Sequence, residues 1–235
     1  MLLAQSESCF FPHVSDSMNS FINVPSFNTV LNDEARKHYL PATNLLFGLL
    51  PEMMSRKIPE ANVQQAFILS AVLQLLPVLS GKRVLCAGCF EDTAYEALCR
   101  MGYPVHGIDP QTDGHDLASF VAENPELQGT YDLVFATSVL EHVPEDESFV
   151  RDASHLVRKG GHVVLTCDFD NAWKPGGALP PTDVRLFTVH DLEDRLLGAM
   201  DGCSLLDKPD WGDHETDFHY GGCCYSFATF TVIKN

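Results

Sequence analysis

The chain has 235 residues, enough for one full hydrophobic core, and carries 32 acidic against 15 basic side chains for a formal net charge of −17. That balance would repel a phosphate backbone, which argues against a nucleic-acid partner. No run of eighteen apolar residues is present to span a membrane.

Residues 1–30 have few charges, several Ser, Asn, Pro and Phe, and little periodicity, so they read as an irregular arm. The short apolar patch at the start lacks a preceding basic region, unlike a secretory signal. Residues 32–54 read as helical, interrupted at Pro41 and near Pro51, and 61–79 have the apolar density of a buried helix. We divide the chain into an N-terminal arm and helical cap (1–60) and a cofactor-binding domain (61–235).

Strands are expected at 83–86, 105–108, 132–136, 162–167, 204–207 and 226–233, with helices at 93–101, 146–157 and 189–197. This alternation predicts an α/β fold: a Rossmann-like, mostly parallel, seven-stranded type of sheet with helices on both faces and an N-terminal helical extension. The chain between Asp109 and Asp132 is short. The helix after the second strand is expected to be missing or collapsed, with His115-Asp116-Leu117 standing in for a third strand.

The eight cysteines include Cys86-x-x-Cys89, which has the spacing of a redox motif. These two fall at a strand end and in a turn, however, and Cys99, Cys167 and Cys203 lie in apolar contexts where free cysteine is a common core residue. Without a second C-x-x-C, no zinc site is expected. Reduced thiols predict a cytoplasmic protein, expected as a monomer or homodimer.

The chemistry concentrates at 84–110. An apolar strand enters the small-residue turn Ala87-Gly88-Cys89, a helix-like segment follows, and a second apolar strand ends on Asp109. Such a turn brings backbone N–H groups and a helix N-terminus to a ligand. An acid closing the second strand can accept both hydroxyls of a ribose, which implies an adenosine-containing cofactor. Phe90 and Asp92 stand where a dinucleotide fingerprint has glycines. The Glu91 and Asp92 carboxylates would repel a pyrophosphate but suit an amine and a sulfonium. That balance favours S-adenosyl-L-methionine over NAD or FAD.

Taken in order, these segments resemble the class I S-adenosylmethionine-dependent methyltransferases over 82–234. Residues 84–92 match the first cofactor motif, although Cys86, Phe90 and Asp92 replace an acid and two glycines. His106-Gly107-Ile108-Asp109 matches the ribose-binding segment. Residues 131–135 with Thr137-Ser138-Val139-Leu140-Glu141-His142-Val143 match the fourth strand and active-site loop. Residues 156–165 match the helix end, glycine turn and fifth strand, and 185–192 a following helix start. The resemblance implies cofactor contacts from Ala87, Gly88, Cys89, Phe90, Glu91, Asp109, Pro110, Thr137, Ser138 and Val139. It also implies adenine contacts from Asp116 and Leu117, the reading favoured for Asp116 over the alternative of a helix N-cap.

Methyl transfer asks mainly for in-line positioning, and a general base helps a hydroxyl or protonated amine. His142 is the candidate base, with Glu141 orienting it or binding the acceptor; alternatively the pair only shapes the loop. Asp168, Asp170, Asn171 and Trp173 follow the fifth strand, but Thr137-Ser138 stand where a metal-binding acid would be needed, so no metal is expected. The aromatic and acidic run 211–220 could bind a sugar or amine acceptor or decorate a turn. The expected activity is methylation of oxygen or nitrogen on a small-molecule acceptor, such as a glycan precursor or secondary metabolite. The alternatives are a non-catalytic methyltransferase-like binding module and a nicotinamide-dependent oxidoreductase.

Overall fold

The computed structural model describes residues 23–76, 82–212 and 214–235, so most of the arm expected over 1–30 lies outside the described residues. Four strands run parallel: β1 (Val84–Ala87), β2 (Val105–Ile108), β3 (Tyr131–Thr137) and β4 (Val157–Phe169). With β5 (Cys203–Leu205), β6 (Phe218–Tyr220) and β7 (Cys223–Lys234) they make a mixed seven-stranded sheet in the order β2-β1-β3-β4-β7-β5, where β6 hairpins onto β7. β7 is antiparallel to both β4 and β5. Residues of β1 and β3 are all buried, as parallel strands covered on both faces require.

The alternation along β1 and β3 divides the core in two. Val84, Cys86, Leu133 and Phe135 face α2 (Leu40–Leu49), α4 (Asn62–Leu75) and α5 (Thr93–Arg100). Leu85, Ala87, Val134 and Ala136 face α6 (Leu117–Glu123), α7 (Asp146–Leu156) and a π-helical turn at Asp191–Leu196. Short α1 (Asp33–His38) and α3 (Pro51–Met54) flank α2. Pro41 and Pro51 sit in the first turns of α2 and α3, where their missing N–H groups cost no helical bond. The helical stretch is broken where expected, at Tyr39 and Leu50, and each proline opens the helix that follows.

Three expectations need correction. No strand forms at His115-Asp116-Leu117, so the chain passes from β2 through α6 to β3 and β2 is a sheet edge. The cause is local: Asp116 Oδ1 accepts from Ser119 N at 2.8 Å and from Ser119 Oγ at 2.6 Å, a satisfied N-cap. Leu117 and Phe120 then bury against the sheet. The expected fifth strand is therefore β4, and it begins at Val157, ahead of the glycines expected to form a turn. Gly160-Gly161 instead lie inside β4, where the register with β3 shifts. Finally, the β6 hairpin carried no signal beyond its aromatic residues. Trp211 from the same run is a core residue, donating from Nε1 to Thr229 O at 2.9 Å and stacking on Phe230.

The site is positioned by topology and by one ionic cluster. The chain leaves β1 for β2 on one side and β3 on the other, so the loops at their C-terminal ends diverge and open a crevice. Buried Asp146 on α7 accepts from Arg195 Nη2 at 2.8 Å and pairs with Arg185 Nη1 at 3.0 Å. Arg195 Nε also reaches Asp191 at 2.7 Å. These pairs fix the segment before the π-helical turn against the loop after β3.

Gly161 tests the β4 bulge. A Cβ there would stand 2.9 Å from Arg158 O, 3.0 Å from Asp132 O and 3.1 Å from Tyr131 O. Gly161→Ala is expected to lower unfolding stability by about 2 kcal/mol or more, read from urea denaturation; an unchanged midpoint would mean that the bulge relaxes freely.

Candidate active site

A cavity of about 910 Å³ occupies the crevice. Its floor is the turn after β1. Gly88 holds φ +89, and a Cβ on it would come within 2.6 Å of Val139 Cγ2 in the loop after β3. Only glycine gives both the left-handed backbone and this approach. Ala87, Gly88, Phe90 and Glu91 line the cavity, as do Asp109 and Pro110 at the end of β2. Cys89 does not line it: its Sγ turns away toward Thr112 Oγ1 at 3.6 Å. Burial pushes the Cys86 and Cys89 thiols up, the opposite of what a redox pair needs.

The two acids of the turn have separate roles. Glu91, at φ +53, pairs with Arg56 at 2.6 Å and Lys57 at 3.5 Å from the N-terminal helical segment. The Arg56 hydrogen bond holds its carboxyl below the usual range. Asp92 is buried and caps α5, accepting from Tyr95 N at 2.6 Å. The expected pair of free carboxylates facing a ligand is thus a neutralised ion pair and a helix cap. Asp109 is held by its neighbours: Oδ1 accepts from Gln111 N at 2.7 Å and Oδ2 from Phe90 N at 3.3 Å. Asp116 and Leu117 line the adjacent wall while Asp116 caps α6.

On the opposite wall, Thr137, Ser138, Val139 and His142 line the cavity. Ser138 takes φ +54, and its Oγ donates to Glu141 Oε1 at 2.5 Å. Glu141 is fully buried and does not line the cavity. The carboxylate beside the His142 ring is Asp183, whose Oδ1 lies 3.3 Å from Nδ1. Burial pushes the carboxyls of Glu141, Asp168 and Asp183 up; Asp183 adds to the cost of ionising Glu141, and both add to the cost of ionising Asp168. Asp170 and Asn171 serve locally, accepting from Ala172 N at 2.9 Å and Val189 N at 3.0 Å.

The helix before the first strand was expected to cover the cofactor or pack on the sheet edge, but sequence reasoning did not single out which of its residues reach the cavity. Asn62, Gln64 and Gln65, at the start of α4, line the cavity. Gln65 Oε1 accepts from Ala94 N at 2.9 Å, and Gln64 Nε2 reaches Ser138 Oγ at 3.5 Å. The signal was available: three adjacent amide side chains, counting from Asn62 to Gln65, interrupt an otherwise apolar helix. Buried amides need partners, and here a ligand can supply them.

A family model described as a methyltransferase domain matches residues 61–213. The chain belongs to this methyltransferase family. A ubiquinone biosynthesis O-methyltransferase from Cupriavidus pinatubonensis is 38% identical over 104 residues, covering 37% of this chain and 42% of that protein. The matched part therefore spans less than half of that relative's length. A protein of the same name from Photorhabdus laumondii is 32% identical over 185 residues, covering 68% of this chain and 75% of its own. A solved methyltransferase structure from Archaeoglobus fulgidus, described as SAM dependent, is 12% identical with a TM-score of 0.49, covering 72% of this chain and 94% of the other.

The cofactor of such a methyltransferase is S-adenosyl-L-methionine, and the residues present fit it. Asn62 Nδ2, Gln64 Oε1, Asp92 Oδ2 and Thr137 Oγ1 are buried without a partner. These donors and acceptors sit on the cavity-lining residues between α4 and the two loops, where an amino-acid moiety has both kinds of group to offer. The methyltransferase also has no described helix long and apolar enough to cross a membrane.

The buried carboxyls give a pH signature. Asp168 keeps its proton in the folded state at a pH where the unfolded chain, with a carboxyl near about 4, has lost it. The folded state then binds more protons, so stability falls as pH rises from that range. Asp168→Asn lacks this contribution. Urea unfolding at about pH 5 and about pH 8 should show a smaller loss of stability in the variant than in the wild type; equal losses would mean that Asp168 ionises normally.

Proposed function

We propose that the protein transfers the methyl group of S-adenosylmethionine to a hydroxyl oxygen of a small aromatic acceptor in the cytoplasm. The observation that carries this reading is one continuous cavity running from the ribose-type acid Asp109 to His142. Two relatives bear O-methyltransferase in their names, which favours oxygen as the accepting atom. Val143, Pro144 and Phe149 line the cavity next to His142 and favour a planar apolar acceptor. Free thiols at the described cysteines fit a reducing compartment.

S-adenosylmethionine, when bound, supplies a methyl group already activated on a sulfonium. Asp109 accepts the ribose hydroxyls, Asp116 and Leu117 meet the adenine, and the turn at Gly88 lets backbone pass close to the ligand. Thr137, Ser138 and Val139, with the α4 amides, hold the amino-acid end. The segment 1–60 acts as a cap on the domain 61–235, with Arg56 and Lys57 clamping Glu91 at the cavity rim. His142 takes the proton from the acceptor hydroxyl, and what remains for the chain is alignment of oxygen and methyl carbon.

Calorimetric titration with S-adenosylmethionine, S-adenosylhomocysteine and NAD tests the cofactor. Both adenosyl ligands should bind and NAD should not. Asp109→Ala should weaken both by about tenfold or more, as loss of a charge-assisted hydrogen bond implies. If neither adenosyl ligand binds, the enzyme reading fails; undiminished binding by the variant would remove Asp109 from the site. Catechol is the probe acceptor, and formation of its monomethyl ether together with S-adenosylhomocysteine is the expected result.

A further inference from the structure

The ring of His142 is held from one side only. Its Nδ1 lies 3.4 Å from the carbonyl oxygen of Thr182 and 3.3 Å from Asp183 Oδ1. The imidazole is 44% exposed while the Asp183 side chain is 3% exposed, so one ring nitrogen faces the protein and the other the cavity. A carbonyl oxygen can only accept. With Asp183 ionised, both neighbours of Nδ1 are acceptors, so the ring is held with its proton on Nδ1 and Nε2 is left with its lone pair.

A second observation is independent of that hydrogen bond. Thr182 adopts φ +76, a conformation unfavourable for a β-branched residue. The other two non-glycine residues with positive φ among those described, Glu91 and Ser138, both line the cavity. Strain of this kind persists where surrounding structure fixes it, and it gathers at functional sites. At Thr182 the unusual backbone turns the carbonyl and the next side chain toward the same imidazole nitrogen. Val184 N then donates to Glu141 O at 2.8 Å, and Arg185 pairs with Asp146 at 3.0 Å, pinning the segment from beyond.

The groups around His142 come from several elements. Asp183 faces it from the loop, and Glu141 precedes it in its own turn, with Oε1 accepting from Ser138. Behind Asp183 stand Asp168 on β4 and Tyr225 on β7, the Asp168 carboxyl being pushed up by burial and by both other acids. Burial and the charges of Glu141 and Asp183 push Asp168 up, whereas the His142 charge works against the burial of Asp183. Asp183, which faces the imidazole at 3.3 Å, is the member placed to carry charge toward it.

We infer that Asp183, together with the strained carbonyl of Thr182, is the positioning residue of methyl transfer: it holds His142 with Nδ1 protonated and Nε2 aimed at the acceptor hydroxyl. The inference rests on the reading of His142 as the general base. In the step, the acceptor O–H proton passes to Nε2 while an oxygen electron pair forms the new bond to the methyl carbon. The electrons of the breaking carbon–sulfur bond stay on sulfur, which becomes a neutral thioether. The imidazolium so formed faces the Asp183 carboxylate, and its proton leaves to solvent through the open side of the ring.

The test has two parts. Nitrogen NMR of the wild-type protein bound to S-adenosylhomocysteine, with His142 assigned by comparison with His142→Ala, reads the neutral tautomer directly. The proton is expected on Nδ1, and the Nε2–H tautomer would overturn the inference without any variant of Asp183 having to fold. Kinetics with S-adenosylmethionine and catechol then compare His142→Ala, Asp183→Asn and the double variant. His142→Ala should lower kcat by about a hundredfold. Asp183→Asn should lower kcat by about tenfold or more, with the acceptor KM and cofactor Kd unchanged, and the double variant should be no slower than His142→Ala alone. Additive losses would assign Asp183 a purely structural role, and full activity in Asp183→Asn would overturn the inference while leaving His142 in place. Full activity in His142→Ala would instead sink the base reading on which it rests.

Discussion

The close approach of two loops over β1 and β3 governs the rest of this site. Parallel pairing sets Val84 beside Leu133 and Cys86 beside Phe135, so both strands end level at the sheet edge. The turn after β1 and the loop after β3 then meet at Gly88 and Val139, where even a methyl group would collide at 2.6 Å. The approach fixes where Ala87 and Gly88 present backbone, and it sets the distance across which Ser138 and His142 face the β1 turn. α4 closes the same seam from the side, inserting three amide side chains where the loops leave polar backbone and hydroxyl groups.

Electrostatics follow from the same geometry. A chain with a net charge of −17 cannot pair every carboxylate, and several acids around the site are treated in three ways. Asp146 receives two arginines and locks α7 to the following segment. Asp92 and Asp116 cap helices, satisfying backbone donors that would otherwise be orphaned. Glu141, Asp168 and Asp183 remain as a cluster pushed up by burial, in which Glu141 and Asp183 add to the cost of ionising Asp168, so Asp168 retains its proton while Asp183 faces His142. Burial pushes up this last group as well as the cap Asp92, and the cluster stands directly behind the loop that carries His142. An energetic cost concentrated next to a reactive side chain fits the observation that perturbed acids gather at functional sites.

Much of this was readable from residues alone, and the failures have physical causes. The strands and their order were legible because buried parallel strands appear as short apolar runs ending in small residues, as at Val84–Ala87. Asp109 was legible because an acid closing such a run has no packing reason to be there. The third strand was misjudged because His115-Asp116-Leu117 satisfies two patterns, and a local cap by Ser119 outweighed a strand with no edge partner close in sequence. Glu91 was misread because its counter-ions, Arg56 and Lys57, lie more than thirty residues away and only tertiary contact pairs them. Asp183 was invisible for the same reason: nothing local links residue 183 to residue 142.

The missing third strand also changes what builds this wall of the cavity. β2 is four residues long and forms the sheet edge, shielded by His106, whose Nδ1 meets the Tyr131 hydroxyl at 2.9 Å and whose ring packs edge-on to Phe120. A short, covered edge resists pairing with another chain, so the sheet can end here. The wall that another strand would have supplied falls to the N-terminus of α6. There Asp116 spends one carboxylate oxygen on Ser119 N and Oγ, and only the other remains for a ligand. Compression of this segment therefore joins two duties in one side chain. Any substitution that removes the carboxylate strips the α6 cap and a polar group of the cavity wall together, so cavity and local stability are coupled at this position more tightly than at Asp109, which caps no helix.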